Sequence, residues 1–482
     1  MVVTRAYNMF DPQKTLAGMG ERGGGVQPLI VGIWLGLLMG LSGEGIAWSQ
    51  TAASPIAEAL QQAWQQVGIA THQRCSDEVF VRRLWLDLLG RIPTLAEREA
   101  FLRDPRRDVW IDRLLHQGEW CHHWAEWFTT QWYGLLEEPG DRGLFSAWLT
   151  EQLRQQIPYD RIVQEILRAE GESAFVGPVN FYVHHIDDVV VPISRAFLGI
   201  RLDCARCHDH PFDRWKQADY ESFHRFFSGM RREDVSPGNV RLYDESVWDV
   251  TSRPRFLSGA EPRTSRWRAE LALMLTRSRP FARHYVNNIW YLLMGRGLVH
   301  PIDDVRPGNP PVFPEFFEKL TDLALAQQFH VASLLRVLLN SPAYQAPSEP
   351  DPRESAEARQ RRRRFFALKP LKPLTADQWY ASLCVALEHT PSYEERMFVR
   401  RSFYGDDPAG LRLSLWEDQA PLPGVMQRLT HPWPIRHEPC EQVFLRCLGR
   451  PPSEDERQLL QDLSAADAWF VLLHSSEFHL CR

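Results

Sequence analysis

An eleven-residue stretch of this chain recurs with six positions identical. Leu88-Leu89-Gly90-Arg91-Ile92-Pro93-Thr94-Leu95-Ala96-Glu97-Arg98 returns as Cys447-Leu448-Gly449-Arg450-Pro451-Pro452-Ser453-Glu454-Asp455-Glu456-Arg457. Both copies place Thr or Ser three residues ahead of Glu, the capping box that satisfies free amides at a helix start. The Gly ahead of it suits the end of the preceding helix. Further on, Leu114-Leu115-His116-Gln117-Gly118-Glu119-Trp120 matches Leu472-Leu473-His474-Ser475-Ser476-Glu477-Phe478, and Leu338-Leu339-Asn340-Ser341-Pro342-Ala343-Tyr344 is a partial third echo. A chain built on this unit is committed to helix–turn–helix packing. The repeat speaks to architecture, not chemistry.

Periodicity extends that reading. Amphipathic helical spacing runs from Ala57 to about Met230, broken by turn formers between Glu170 and Pro178. A second helical block spans Trp267–Tyr344, and a third follows Leu374. Sustained strand alternation is scarce. The expected fold is therefore mainly α and multi-helical: two helical domains with reused helix–turn–helix units and irregular linkers. The boundaries expected are 1–49 for a signal peptide, 50–230 for the first domain, 231–265 for a Pro- and Gly-containing linker, and 266–482 for the second domain. That last domain includes a charged linker, 346–364, ending in Arg361-Arg362-Arg363-Arg364.

Composition narrows the partners. At 44% hydrophobic and 24% charged residues over 482 positions, wholesale disorder and a polytopic membrane protein are excluded. A net charge of -6 gives no basic field for nucleic acid. The apolar stretch Leu29–Leu41, after Arg22 and before Ala47-Trp48-Ser49, has the length and cleavage pattern of an export signal and is too short to span a bilayer. Met19 would make a shorter leader. No later segment reaches spanning length, so the expected location is periplasmic or cell-envelope associated, with no transmembrane span after the signal peptide.

All eight cysteines follow the proposed cleavage site. In an oxidising compartment unpaired cysteines tend to form disulfides or receive a cofactor. The sharpest chemical signal is Cys204-Ala205-Arg206-Cys207-His208, the attachment pattern of c-type haem. Two thiols at this spacing add to two vinyl groups of one porphyrin, and the adjacent His208 reaches the iron. Ile193, Phe197, Ile200, Cys204 and Cys207 fall at helical intervals on one face. Tyr220, Phe223, Phe227 and Met230 make a second stripe. These two stripes could enclose a flat apolar ring or pack on each other.

Three other readings of the motif stand beside haem. A thiol–disulfide redox site would place its cysteines at a helix N-terminus, whereas helical spacing puts these late in a helix. Cys204, Cys207, His208 and His210 could hold zinc. A structural disulfide without cofactor is the fourth reading. If haem is bound, Met230 or the pair His184-His185 could complete the iron. Asp213 could bond an axial histidine and Arg214 a propionate, or both could belong to a capped turn leading into the helix from Asp219.

The motif's flanks resemble a known family. Phe197-Leu198-Gly199-Ile200-Arg201-Leu202-Asp203 before the motif and Asp209-His210-Pro211-Phe212-Asp213-Arg214-Trp215 after it are similar to the domain of unknown function numbered 1549. So is Arg83-Leu84-Trp85-Leu86-Asp87-Leu88-Leu89-Gly90-Arg91-Ile92-Pro93-Thr94. Phe281-Ala282-Arg283-His284-Tyr285-Val286-Asn287-Asn288-Ile289-Trp290, Met294-Gly295-Arg296-Gly297-Leu298-Val299 and Asp303-Asp304-Val305-Arg306 resemble its companion, number 1553. The pair is characteristic of the planctomycete cytochrome-associated proteins. The resemblance covers roughly residues 57–480 and implies an exported, mostly helical protein with a cytochrome-like motif and no settled activity. Ala420-Pro421-Leu422-Pro423-Gly424-Val425-Met426 departs from the family's pattern.

Two classes of function follow. One is electron transfer or redox chemistry through haem c on Cys204, Cys207 and His208, with a periplasmic redox partner. The other is a non-enzymatic envelope binding or scaffold protein whose motif forms a disulfide or zinc site. No nucleophile–base pair, G-x-S-x-G or phosphate loop supports a hydrolase. Trp120, Trp124, Trp127 and Trp132 recur near helical spacing and fit packed core better than a sugar platform. Asn287, Asn288, Arg296, Asp303, Asp304 and Arg306 fit helix pairing and capping better than a ligand pocket.

Overall fold

The computed structural model describes residues 53–69, 73–134, 140–185, 187–246, 253–404, 438–460, 463, 465–473 and 475–481. The proposed export segment and the departing stretch Ala420–Met426 lie outside the described residues. From the amino end, α1 (Ala53–Gln66), α2 (Asp77–Leu89), α3 (Leu95–Arg103), α4 (Arg107–Gln117), α5 (Trp120–Trp132), α6 (Arg142–Arg154) and α7 (Tyr159–Leu167) precede a short strand, β1 (Gly171–Glu172). Then come α8 (Val179–His184), α9 (Val190–Ile193), α10 (Gln217–His224) and the hairpin β2 (Met230–Ser236) to β3 (Asn239–Asp244). The second half holds α11 (Trp267–Thr276), α12 (Arg279–Met294), α13 (Pro314–Ala326), α14 (Val331–Leu339), α15 (Ala356–Arg364), β4 (Lys372–Pro373), α16 (Ala376–Leu387) and α17 (Tyr393–Tyr404). It closes with α18 (Cys440–Leu448), α19 (Glu454–Leu460), α20 (Ala465–Leu473), α21 (Ser476–His479) and β5 (Leu480–Cys481).

The mainly α expectation holds. Within 231–265, read from sequence as a connecting stretch, the structure places most of a hairpin, and β1 joins it to give a three-stranded antiparallel sheet in the order β1-β3-β2. The alternation is confined to β3, where Val240 and Leu242 are buried and Arg241 and Tyr243 are exposed. β2 is polar along most of its length and hides the pattern. The charged stretch 346–364 contains α15, started by the Ser355 hydroxyl and carrying its four consecutive arginines in the last turn, where the helix dipole favours cations. Among the described residues, no helix is long and apolar enough to cross a membrane.

The duplicated unit recurs atom for atom. Gly90 and Gly449 end their helices at φ 71° and 72°, the left-handed region that favours glycine. Glu97 N–H donates to Thr94 Oγ1 (3.2 Å) while Glu97 Oε2 accepts from Thr94 N–H (2.7 Å). In the second copy the same two bonds join Glu456 and Ser453 at 3.3 and 2.7 Å. Arg91 forks onto Glu97 through two 2.8 Å bonds, and Arg450 forks onto Glu456 at 2.7 Å. Each arginine also meets the glutamate that follows the downstream Leu-Leu-His echo: Arg91 with Glu119 at 3.7 Å, Arg450 with Glu477 at 2.6 Å.

The two copies dock. Arg98 donates to the Gly449 carbonyl at 2.5 Å and Arg82 to the Cys447 carbonyl at 2.7 Å. Leu86 and Ile92 share one apolar cluster with Phe444, Cys447, Trp469 and Leu472. The four tryptophans of α5 are buried, as the helical spacing implies.

At the middle of this packing lies Asp87, fully buried. Its carboxylate accepts from Lys372 Nζ and, at 3.0 Å, from the Tyr344 hydroxyl, with Lys369 Nζ at 3.9 Å. Lys369 and Lys372 also donate to the Leu293 and Leu292 carbonyls at 2.8 and 2.7 Å, in the last turn of α12. Burial alone would raise the Asp87 carboxyl, but Lys372 and Lys369 outweigh it and hold it below the usual carboxylate range.

Candidate functional site

The approach to the motif is set by Asp188. Its carboxylate accepts from the Val190 and Val191 amides (2.9 and 3.2 Å), starting α9, and pairs with Arg206 at 3.4 Å. α9 then widens into a π-helical turn, Ser194–Leu198, a geometry often found at functional sites. Gly199, at φ 65°, ends it. A side chain at this position would face strain and collision together, since a Cβ would lie 2.7 Å from His284 Nδ1 and 2.9 Å from Val305 Cγ2.

This break overturns the single helical face expected for Ile193, Phe197, Ile200, Cys204 and Cys207. The first three are buried, whereas the cysteines sit on a separate 3₁₀ turn, Cys204–Arg206, and face solvent. Sequence spacing cannot register a π turn followed by a left-handed residue. Cys204 therefore opens its own turn instead of lying late in a helix. One three-residue turn supplies no helix dipole to activate it. The apolar stripes pack into the core: Phe197 meets Trp132 at 5.3 Å between ring centres, and Phe223 meets Phe256 at 6.0 Å. Met230 leaves its stripe, opening β2 opposite Asp244.

The motif itself is compact. Cys207 and His208 amides both return to the Cys204 carbonyl at 3.2 Å. In such a turn positions three apart eclipse one another, so Cys204 and Cys207 occupy the same side of it. His208 Nδ1 lies 2.8 Å from the Asp209 carbonyl, which can only accept, so Nδ1 donates and Nε2 is the ring nitrogen left to ligate a metal. That is the tautomer a metal-ligating histidine needs, oriented by a backbone partner. The donor set therefore fits covalent attachment of a c-type haem, while Ile193, Phe197, Ile200, Tyr220, Phe223 and Phe227 of the two stripes are buried.

Beyond His208 the chain folds on itself. His210 N–H donates to the Trp215 carbonyl at 2.8 Å, and His210 Nδ1 accepts from the Phe212 amide at 3.1 Å. Asp209 accepts from the Gln217 amide at 3.0 Å, helping to start α10. Asp213 accepts from the Arg214 amide at 2.7 Å, and the Arg214 guanidinium lies over the Trp215 ring at 4.4 Å. Both residues thus serve the turn. Phe212 stands at the tip, 81% exposed.

Among the described residues, no three or more His, Cys, Asp or Glu side chains are grouped to hold a metal, and this includes any three of Cys204, Cys207, His208 and His210. The sixth-ligand candidates are engaged elsewhere. His184 is buried and stacked on Tyr133 at 4.1 Å, and His185 Nε2 bonds the Trp132 carbonyl at 2.7 Å. The other six cysteines are free and are buried or half-buried, so the disulfides expected of an oxidising compartment do not form among them. Burial pushes the Cys121 and Cys384 thiols up to about 11. Only Cys204 and Cys207 are exposed.

The second half of the chain supplies the shoulder of the site. Asp303, fully buried, accepts from Arg195 (2.8 Å to Nε, 2.6 Å to Nη2) and from Arg201 (2.7 Å), one on each side of Gly199. Burial pushes the Asp303 carboxyl up, but Arg201 and Arg195 prevail and hold it below the usual range. Val305 N–H donates to the Gly199 carbonyl at 2.8 Å, and Arg306 donates to the Phe212 carbonyl at 3.2 Å. The polar cluster seen in the sequence is a set of pairs and caps. Asn287 closes the turn onto Val299 with bonds of 2.8 and 2.9 Å, and Asn288 reaches Gln131 at 2.9 Å. Arg195, Arg201 and His284 escaped the sequence reading as site residues. A partner about a hundred positions away leaves no local signal.

Residues 55–232 match PSCyt2, a protein of unknown function (DUF1549), and residues 267–400 match PSD1, a protein of unknown function (DUF1553). No curated protein and no solved structure matches the chain. The first match ends inside β2 and contains the whole exposed motif, while the second contributes Asp303, Val305 and Arg306 to its shoulder. The chain belongs to the family that carries these two domains in tandem.

Proposed function

We propose that this is an exported redox protein that presents haem c at its surface, held by thioethers from Cys204 and Cys207 and ligated by His208. The carrying observation is the exposed pair of thiols beside a histidine whose Nδ1 proton is already committed to the Asp209 carbonyl. Such a group, when bound, supplies one-electron transfer. The chain's own part is to hold the two sulfurs on one side of a turn and to aim His208 Nε2 outward. The apolar stretch Leu29–Leu41 before Ala47-Trp48-Ser49 supports export, and a periplasmic redox partner would meet the exposed face around Phe212.

A second reading has its own observation. Cys204 and Cys207 stand three residues apart at the two ends of one short turn, both exposed, and the neighbouring apolar residues are spent in the core. On that reading the protein is a non-enzymatic envelope scaffold whose motif closes as Cys204–Cys207. The test is an absorption spectrum, oxidised and dithionite-reduced, with intact mass, on protein exported from cells competent in c-type haem maturation. A reduced α-band and one haem of added mass, both lost in Cys204→Ser/Cys207→Ser, are expected. Colourless protein at apoprotein mass would overturn the haem reading and leave the scaffold.

A further inference from the structure

We infer that the segment around Asp303 is a positioning device for the Cys204–His208 turn, so that the second domain acts on the first domain's chemistry. The inference rests on the reading of Cys204, Cys207 and His208 as the chemical site. It does not depend on which group they hold.

Four bonds from this one segment converge on the motif's flanks. Asp303 takes Arg195 and Arg201, Val305 takes the Gly199 carbonyl, and Arg306 takes the Phe212 carbonyl. Arg195 passes the constraint on, since its Nη1 lies 3.3 Å from Asp203, the residue immediately before Cys204. The segment is itself braced. Asp304 holds Arg306 Nε at 2.8 Å, and Asn309 Nδ2 holds the Asp304 carbonyl at 3.0 Å. The turn therefore has one anchored end at Asp203 and another at Phe212, with its reactive atoms in solvent between them. A bond network that served packing alone would have no reason to bracket the only exposed cysteines of the chain from both sides.

Positioning of two thiols is read by their effective concentration toward each other. Closure forms the Cys204–Cys207 S–S bond. Two electrons and two protons pass to glutathione disulfide, which leaves as two glutathione thiols. The experiment equilibrates haem-free full-length protein in glutathione redox buffers, quenches with acid, alkylates, and quantifies the disulfide by peptide mass. Asp303→Asn is expected to lower the effective concentration at least tenfold, with Asp303→Glu recovering part of it. Arg306→Gln should lower it about threefold. Asp322→Asn, which removes an exposed partner of Arg279, should leave it unchanged.

Native-state protection of buried Cys447 and Cys481 from alkylation certifies folding in each variant. Should Asp303→Asn fail that check, Arg306→Gln carries the test alone. Folded variants with the wild-type equilibrium constant would overturn the inference, whether or not haem is found. A shifted constant in a protein that never acquires haem would sustain the inference and remove only the haem reading.

Discussion

Two buried aspartates, Asp87 and Asp303, tie the halves of this protein together, and they do so with opposite consequences. Both carboxylates are fully buried and each is met by two cations. Beside each lies a helix ended by a left-handed glycine, with a buried histidine ring filling the space that a Cβ would take. His123 Nδ1 would be 2.4 Å from a Cβ at Gly90, and His284 Nδ1 would be 2.7 Å from one at Gly199. At Asp87 the cations are themselves buried and their remaining bonds cap the end of α12. At Asp303 the arginines are partly exposed, 19% and 39%, and lead outward to the Cys204 turn. One arrangement closes the core, whereas the other presents a surface motif.

The largest effect separates them directly. Asp87→Ala leaves Lys369 and Lys372 buried without their carboxylate, and breaking such a pair costs about 3–5 kcal/mol. Asp303→Asn leaves arginines that water can reach, so about 1–3 kcal/mol is expected. Urea unfolding of the three proteins measures both. Equal losses would mean that Asp303 is as much a core element as Asp87, contrary to the division drawn here.

Glycine replacement attacks both sites by the same route. Gly90→Ala and Gly199→Ala combine a positive φ with a collision against a buried ring, and each should cost about 2 kcal/mol or more. At Gly199 the loss should be accompanied by faster alkylation of Cys204 and Cys207, because the turn loses its shoulder. At Gly90 the reactivity of these two thiols should not change while the protein stays folded.

The two glycines also show how much of this molecule is legible in its sequence. Gly90 precedes a capping box, and the bonds of its glycine cap and capping box run only from Leu86 to Glu97. The periodicity and the Thr94–Glu97 spacing were therefore enough. Gly199 sits inside an apolar pattern that continues at helical intervals through Cys207, yet the chain leaves the helix there at φ 65°, with His284 and Val305 filling the space a Cβ would take. Nothing local reports that crowding. The motif Cys204–His208 was visible as chemistry, but its exposure was not. The contacts on either side of it come from Asp303 and Arg306, about a hundred positions away in the other domain. The hairpin β2–β3 was lost for a different reason: charges along most of β2 erase the alternation that would mark it.

Acid should weaken both centres. Burial lowers His123 to about 3 and His284 to about 4, so both rings stay neutral in the native state well below the usual histidine range. The unfolded chain takes up protons near pH 6.5 while the native chain does not, so stability falls as pH drops from about 6.5 to 4. The His123 contribution continues to fall to about pH 3. Melting temperatures across this range should flatten in His284→Gln above pH 4. In His123→Gln they should become less steep down to about pH 3, the slope between pH 6.5 and 4 that remains being that of His284. A melting curve that is independent of pH between 6.5 and 4 would contradict the buried, neutral assignment.

The smallest effect concerns the two copies of the repeated unit. Glu97 and Glu456 both lie at about 2. For Glu97, burial is outweighed by Arg91 and the Thr94 amide; for Glu456, the Arg450 bonds are the main cause. Each contributes stability that is present above the ordinary glutamate value near 4.5 and lost as pH falls toward 2. Removing either capping carboxylate should cost about 1 kcal/mol at neutral pH. The copies differ in what the arginine keeps. The carboxylate left to Arg450 after Glu456→Ala is Glu477 at 2.6 Å, whereas the one left to Arg91 after Glu97→Ala is Glu119 at 3.7 Å. Glu97→Ala should therefore be the more costly by a few tenths of a kcal/mol, and Glu456→Ala/Glu477→Ala should reverse the order. If the single variants are equal, the second glutamate in each arginine clamp is a spectator, and the repeat is held by its capping box and glycine alone.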